Sequence, residues 1–379
     1  MERRNPGIDL LRGTAILLVI IHHLALRIPP EKTDASAVLP HFVLHALHWN
    51  GGNAVKLFFV ISGFLIADHA IRRWGKLGRM EVRVFMLRRA ARILPCLFAL
   101  LAVLAALDLL GARDFVLRRS GQSLPGALAA ALLVHLNLYE AWTGYLPPNW
   151  DVLWSLSVEE AFYLAFPVLC ALLGRWPLVL AGLWGVLAFG APVAEWGIRH
   201  APDIWQEKAY GPGFCAIGMG VAAALTARSR SGDRLRRKVN RLGMAGAAGV
   251  LAYLLQGHVF WLTLGYAAPL FLTLSAAVLI FAFDGGWGAG VTARSAGWVK
   301  DWGRCSYEIY LSHMFVVLPA VDLFVALGSP WRWGWAWFPP VLILVWMLGR
   351  LVETWLSSPA GRWMRDRLPV IGHPRPEMR

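Results

Sequence analysis

The chain has 379 residues, of which 57% are hydrophobic and only 16% are charged, and its formal net charge is +14. A soluble domain carries nearer a quarter charged residues, whereas several runs here reach the 17–25 apolar residues that span a bilayer. These features exclude a soluble enzyme, and the continuous rather than alternating apolar runs exclude a transmembrane β-barrel.

The apolar runs predict an all-α, polytopic helical bundle in a membrane. Spans are expected at about 8–28, 54–71, 93–111, 152–173, 178–197 and 210–227, in a two-span hairpin at 243–283 that turns near 256–258, and at about 304–327 and 336–357. We expect one domain over 1–379, with a core at about 5–357 and a basic cytoplasmic tail at 358–379.

The clusters of positive charge predict the topology. Segment 72–92 carries eight Lys/Arg against one Glu, and segment 228–241 carries seven against one Asp. Both are predicted as cytoplasmic loops, so an even number of spans must separate them. This requires the short apolar segment 126–139 to be re-entrant or interfacial, which gives about ten spans and places both termini in the cytoplasm. Few aromatic residues interleave the basic clusters, so no nucleic-acid partner is expected.

Arg12 and His23 lie in the first apolar run, eleven residues apart. This separation is about three helical turns, or roughly 16 Å along the axis, so both side chains share one helix face. Ionisable residues inside a membrane are functional candidates. The alternative is that Arg12 anchors the helix at the interface and His23 is a packed, hydrogen-bonded residue, as we expect for His22 and His135.

Other polar residues stand out against apolar surroundings. Arg88 and Arg92 share a helix face beside Arg89, a cluster that suits phosphate groups or serves as an ordinary cytoplasmic anchor. Glu159 lies two turns into an apolar helix with Ser155 four residues before it, and could orient an imidazole, position a hydroxyl or form a structural ion pair.

We expect no metal site. His41, His45 and His48 have helical spacing, but no carboxylate or thiolate stands beside them. The four cysteines are far apart and show neither metal-ligand spacing nor a disulfide pattern.

Five segments in order carry a resemblance to a known family. They are LLRGTAILLVIIHH at 10–23, FFVISGFLI at 58–66, RRAARILP at 88–95, WSLSVEEAFY at 154–163 and YEIYLSHM at 307–314. Together they resemble the membrane-bound acyltransferase-3 family, whose members are similar to bacterial O-acetyltransferases of surface polysaccharides. The resemblance extends from about residue 5 to 355 and is weakest at 175–300. Some family members carry an added esterase-like domain, and this chain resembles the stand-alone type.

The resemblance implies roles for individual residues. It selects His23 over His22 as the catalytic histidine, and Glu159 over Glu160. It also implies supporting positions at Ser62, Gly63, Tyr310, Leu311 and His313, and we expect Ser155 to act with them.

The resemblance implies an O-acyltransferase of the bacterial inner membrane that uses acyl-CoA, most simply acetyl-CoA. Its phosphates would bind the arginines at positions 12, 88, 89 and 92. His23 would act as general base or carry the acyl group, with Glu159 setting its tautomer. The acceptor would be a hydroxyl of an envelope or exported glycan, free or lipid-linked. A lipid or small-molecule acceptor and a polytopic transporter stay open as alternatives, although no inverted repeat is visible.

Overall fold

The computed structural model describes residues 4–290 and 296–367, and over these ranges it is helical without a β-strand. This confirms the predicted all-α class. In chain order the α-helices are α1 Pro6–Ala25, α2 His41–Trp49, α3 Gly51–Trp74, α4 Val82–Leu109, α5 Leu124–Leu132, α6 Leu136–Thr143, α7 Pro148–Asp151, α8 Leu153–Leu173, α9 Pro177–Phe189, α10 Ala191–Gly197, α11 Asp203–Lys208, α12 Tyr210–Ala227, α13 Arg230–Arg236, α14 Val239–Leu264, α15 Ala268–Asp284, α16 Gly297–Arg304, α17 Ser306–Ser312, α18 Met314–Ala326, α19 Phe338–Val352 and α20 Ser358–Arg367. Short 3₁₀ turns lie at Pro30–Lys32, Asp34–Ala37, Leu77–Arg79, Gly265–Ala267 and Trp331–Trp337, and a π-turn lies at Glu353–Ser357.

Several of these helices can cross a membrane. Within the described ranges, seven helices or nearly continuous helical runs are long and apolar enough, and the bent pairs α9–α10 (55°) and α17–α18 (45°) raise the number to nine. One of the seven runs, Val239–Asp284, consists of α14 and α15 packed against each other. The predicted hairpin is therefore present, and the exact number of ten spans stays a prediction.

Three boundaries differ from the sequence-based expectation. The hairpin turns at Gly265–Ala267, and Gln256 instead marks a kink within α14. Segment 72–92 is largely helical rather than a loop, since α3 ends at Trp74 and α4 begins at Val82. Arginine and lysine are good helix formers, and their long stems carry the charge away from an apolar helix, so a basic segment can extend a span.

The segment predicted not to cross is divided between two short helices. α5 has nine residues and α6 has eight, so each is only about 12–14 Å long, against roughly 30 Å of hydrocarbon. Neither is a candidate span, in agreement with the predicted re-entrant or interfacial segment.

One carboxylate ties both basic segments to the same end of the bundle. Asp284 at the end of α15 accepts hydrogen bonds from Arg72 (3.1 Å), Arg228 (2.9 Å) and Arg236 (2.7 Å). The Asn5 amide donates to the carbonyl of Phe283 (2.8 Å), which brings the start of α1 to this end as well. We call it the basic end. The predicted tail at 358–379 is described only as far as Arg367, where α20 ends.

Close helix contacts organise the centre of the bundle. A Cβ added at Gly63 of α3 would lie 1.9 Å from the carbonyl oxygen of Ile217 in α12, and one at Gly220 would lie 2.0 Å from that of Val60. Small residues of this kind let membrane helices approach backbone to backbone. Gly63 therefore sets the position of α3, and with it the position of the adjacent Ser62.

Candidate functional site

A small cavity at the centre of the bundle collects most of the predicted site residues. Its volume is about 100 Å³, and its walls come from α1, α3, α4, α8 and α17. Seven of the ten polar and charged residues predicted for the site line it, namely Arg12, Ser62, Arg89, Arg92, Ser155, Glu159 and Tyr310. Polar residues that are far apart in the chain thus meet around one cavity within an apolar bundle.

Glu159 is the polar hub of this cavity. The hydroxyl groups of Ser62 and Tyr163 both donate hydrogen bonds to its carboxylate, and the guanidinium of Arg89 lies 4.4 Å from the centre of the Tyr163 ring. We expected Glu159 to hold an imidazole, but its described partners are these two hydroxyls. The carboxylate therefore joins α3 to α8. The neighbouring Glu160 does not line the cavity.

Arg12 reaches the cavity because α1 and α16 are in close contact. A Cβ at Gly13 or at Gly303 would lie 1.9 Å from a backbone carbonyl oxygen of the opposite helix. The Arg12 guanidinium then donates a hydrogen bond of 2.7 Å to the Ser306 hydroxyl at the start of α17. Sequence reasoning missed Ser306, although it lies four residues before Tyr310 and so on the same helix face.

A second and larger cavity adjoins the first at the basic end. Its volume is about 920 Å³, and it shares Arg89, Arg92 and Tyr307 with the small cavity. Arg88 lines it, as do several arginines that sequence reasoning did not select, at positions 4, 73, 304 and 350. Trp74 and Phe85 add aromatic surface. The larger cavity is net cationic, since its arginines outnumber the carboxylates of Asp301, Glu308 and Glu353. The shared residues place it next to the small cavity, so the two define a candidate path toward the middle of the bundle.

His23 and His313 lie together but line neither cavity. Their ring centres are 5.1 Å apart, and the ring of Tyr310, which does line the small cavity, is 5.9 Å from that of His313. The Tyr310 hydroxyl is 2.7 Å from the Ser155 hydroxyl. Tyr310 therefore separates the small cavity from the histidine pair. His22 contacts the carbonyl of His48, which agrees with its expected packing role.

The structure also contains a buried ion cluster that the sequence did not reveal. The side chains of Lys208 and Glu140 are 0% exposed, their charged groups are 2.8 Å apart, and Lys208 also contacts Asp151. Burial raises the pKa of Glu140 well above its ordinary value, and the Lys208 ammonium opposes this rise. The cluster fixes the 140–151 segment to the helix junction at Lys208, next to the start of α8.

We predict that Lys208→Met lowers the free energy of unfolding by about 3–5 kcal/mol, because two carboxylates lose their buried cation. The pKa of Glu140 would rise further in the folded variant. Stability would then be retained at low pH and lost as the pH rises above the ordinary range of a carboxyl group. Thermal unfolding in detergent as a function of pH measures this effect. Adding Glu140→Gln should restore much of the loss, and equal stability of Lys208→Met and wild type would contradict the prediction.

The described residues contain no group of three or more His, Cys, Asp and Glu side chains that could hold a metal ion. His48 instead contacts the Glu31 carboxylate at 3.0 Å, and the ring centres of His41 and His45 are 6.4 Å apart. All four cysteines are buried and free.

Comparison with known proteins gives one family over nearly the whole chain. A family model described as an acyltransferase domain matches residues 5–350. No solved structure matches the chain at a significant level.

Individual relatives match smaller parts of the chain than the family model does, and with limited sequence identity. A Staphylococcus aureus protein named as an O-acetyltransferase is 30% identical over 44% of this chain. The peptidoglycan O-acetyltransferase OatA of Listeria monocytogenes is 25% identical over 54% of it. These matches cover only 25% and 30% of the two relatives. Nodulation protein 10 of Rhizobium leguminosarum is 28% identical over 75% of each chain.

Proposed function

The chain belongs to this acyltransferase family, and we propose that it is a membrane O-acetyltransferase that moves an acetyl group from cytoplasmic acetyl-CoA to a hydroxyl of an envelope polysaccharide. The observation that carries the proposal is the pair of adjoining cavities, one cationic and wide, the other narrow and leading toward a histidine. The names of the relatives support the acetyl group and the glycan acceptor.

We assign the donor to the basic end, which the positive-inside rule would put in the cytoplasm. The arginines at 88, 89 and 92 would bind the phosphate groups through charge-assisted hydrogen bonds, and Arg12 would lie further along the path. Trp74 and Phe85 offer faces on which an adenine ring could stack. The thioester arm would then extend through the small cavity toward Tyr310.

We assign the acceptor to the opposite end, near 140–151 and the end of α1. His23 would accept the proton of the acceptor hydroxyl as its oxygen attacks the thioester carbon, and would return that proton to the departing thiolate. Ser155 and Tyr310 carry hydroxyl groups that can donate to the developing oxyanion. Glu159 would hold Ser62 and Tyr163 in place along the donor path rather than orient the histidine.

Radiolabelled acetyl-CoA supplied to inverted membrane vesicles from a glycan-producing host tests the proposal. Label is expected in the polysaccharide fraction, and membranes without the protein provide the background. Label in the lipid or protein fraction instead would keep an acyltransferase and replace its acceptor. No label above background, with the protein inserted and acceptor present, would overturn the proposal and favour a transporter.

A further inference from the structure

His313 carries a buried nitrogen whose lone pair is not used. The side chain is 0% exposed, and Nε2 has no hydrogen-bond partner among the described residues. Nearly all buried polar atoms in folded proteins are paired, so an unpaired imidazole nitrogen requires an explanation. This histidine also lies at the 45° bend between α17 and α18, where the span is interrupted.

The tautomer of His313 follows from its other nitrogen. Nδ1 lies 2.7 Å from the carbonyl oxygen of Tyr310, and because a carbonyl can only accept, Nδ1 carries the proton. In the neutral ring, Nε2 is then a hydrogen-bond acceptor. His313 therefore presents a fixed acceptor inside the bundle.

Among the described residues, His23 has the ring nearest to that of His313. Imidazole nitrogens lie about 1.1 Å from the ring centre, so an N–H···N bond of about 2.9 Å between facing nitrogens gives a centre-to-centre distance of roughly 5.1 Å. The observed distance is 5.1 Å. In the structure the two rings are tilted by 41° and His23 donates no hydrogen bond to Nε2, so their separation leaves room for such a bond once a nitrogen of His23 turns toward His313.

The other described groups around His23 are less suited than His313 to accept a hydrogen bond from its ring. Arg27 and Lys208 are cations that cannot accept a hydrogen bond, and the ring of His22, 5.4 Å from that of His23, carries no buried unpaired nitrogen among the described residues. Arg27 donates to the His23 backbone carbonyl at 2.7 Å rather than to the ring. The carboxylate expected beside the ring, Glu159, is held by Ser62 and Tyr163.

We propose that His313 is the positioning residue of the acyl transfer, accepting a hydrogen bond from one nitrogen of His23 so that the other nitrogen presents its lone pair to the acceptor hydroxyl. This inference rests on the proposed function. The hydroxyl proton passes to His23 as the C–O bond forms and the C–S bond breaks, and it then passes to the thiolate. His313 gains no proton in the cycle.

Two substitutions separate this role from a structural one. In His313→Gln, the amide oxygen can still accept from His23, whereas in His313→Leu no acceptor remains. We expect kcat to fall about tenfold or less in the first variant and about 100-fold or more in the second, with the KM for acetyl-CoA unchanged in both. Thermal unfolding in detergent confirms that both variants are folded.

Equal kcat values for the two folded variants would overturn the inference, as would a change confined to KM. If His313→Leu does not fold, the test rests on His313→Gln alone. A kcat of His313→Gln as low as that of His23→Gln would then overturn the proposal. Wild type without acetyl transfer would instead refute the proposed function. The role of His313 alone would be refuted if wild type is active, His23→Gln is inactive and His313→Leu is fully active.

Discussion

Replacing His23 by glutamine should lower kcat for acetyl transfer by a factor of about 10² to 10⁴, the usual contribution of a general base. Glutamine is similar in size and polarity, but its amide has no basic nitrogen to receive the hydroxyl proton. The KM for acetyl-CoA should change little, because the arginines that we propose to bind its phosphates lie at the other end of the path.

The neighbouring histidine provides the matched control. His22→Gln alters the same turn of α1, but the His22 ring contacts the carbonyl of His48 rather than His313. It should keep most of the activity while His23→Gln loses it. Both variants must be extracted from membranes at wild-type levels. Normal transfer by His23→Gln would remove this histidine from the mechanism, and an equal loss in both variants would indicate a general disturbance of the end of α1.

The placement of Arg12 could be predicted from the sequence, because helical periodicity fixes which residues share a face and apolar surroundings make a charge conspicuous. The same reasoning selected the arginines of α4 and the acidic residue of α8, and the structure brings Arg12, Arg89 and Glu159 around one cavity. Helical periodicity does not predict which side chain of another helix each of these residues contacts.

The partners depend on how helices cross. Glu159 meets Ser62 because Gly63 and Gly220 allow α3 to pack closely on α12, and no local pattern encodes that approach. The buried pair of Lys208 and Glu140 was missed for a related reason. Each residue alone looks like an ordinary loop charge, and only the fold encloses them together, 68 positions apart in the chain.

The double substitution of Arg88 and Arg92 by alanine should raise the KM for acetyl-CoA by about two to four orders of magnitude, with a small effect on kcat. Hydrogen bonds to charged groups contribute about 1.5–3 kcal/mol each, and two would be lost from the wall of the larger cavity. The control is the double substitution of Arg234 and Arg237 by alanine, which removes the same charge from an exposed stretch that lines neither cavity.

A shortened donor shows whether the arginines act through phosphate. Acetyl-pantetheine keeps the thioester and its arm but lacks every phosphate group, so wild type should use it poorly and the alanine pair at 88 and 92 should use it no worse. If the KM for acetyl-CoA is unchanged in that pair, the two arginines are ordinary anchors at the membrane surface. If the KM rises equally for both donors, the substitutions distort α4 rather than remove a phosphate contact. A donor whose phosphate groups lie in the larger cavity predicts a rise in KM for acetyl-CoA and no rise for acetyl-pantetheine. The substitutions then remove an attraction to phosphate that acetyl-pantetheine cannot make.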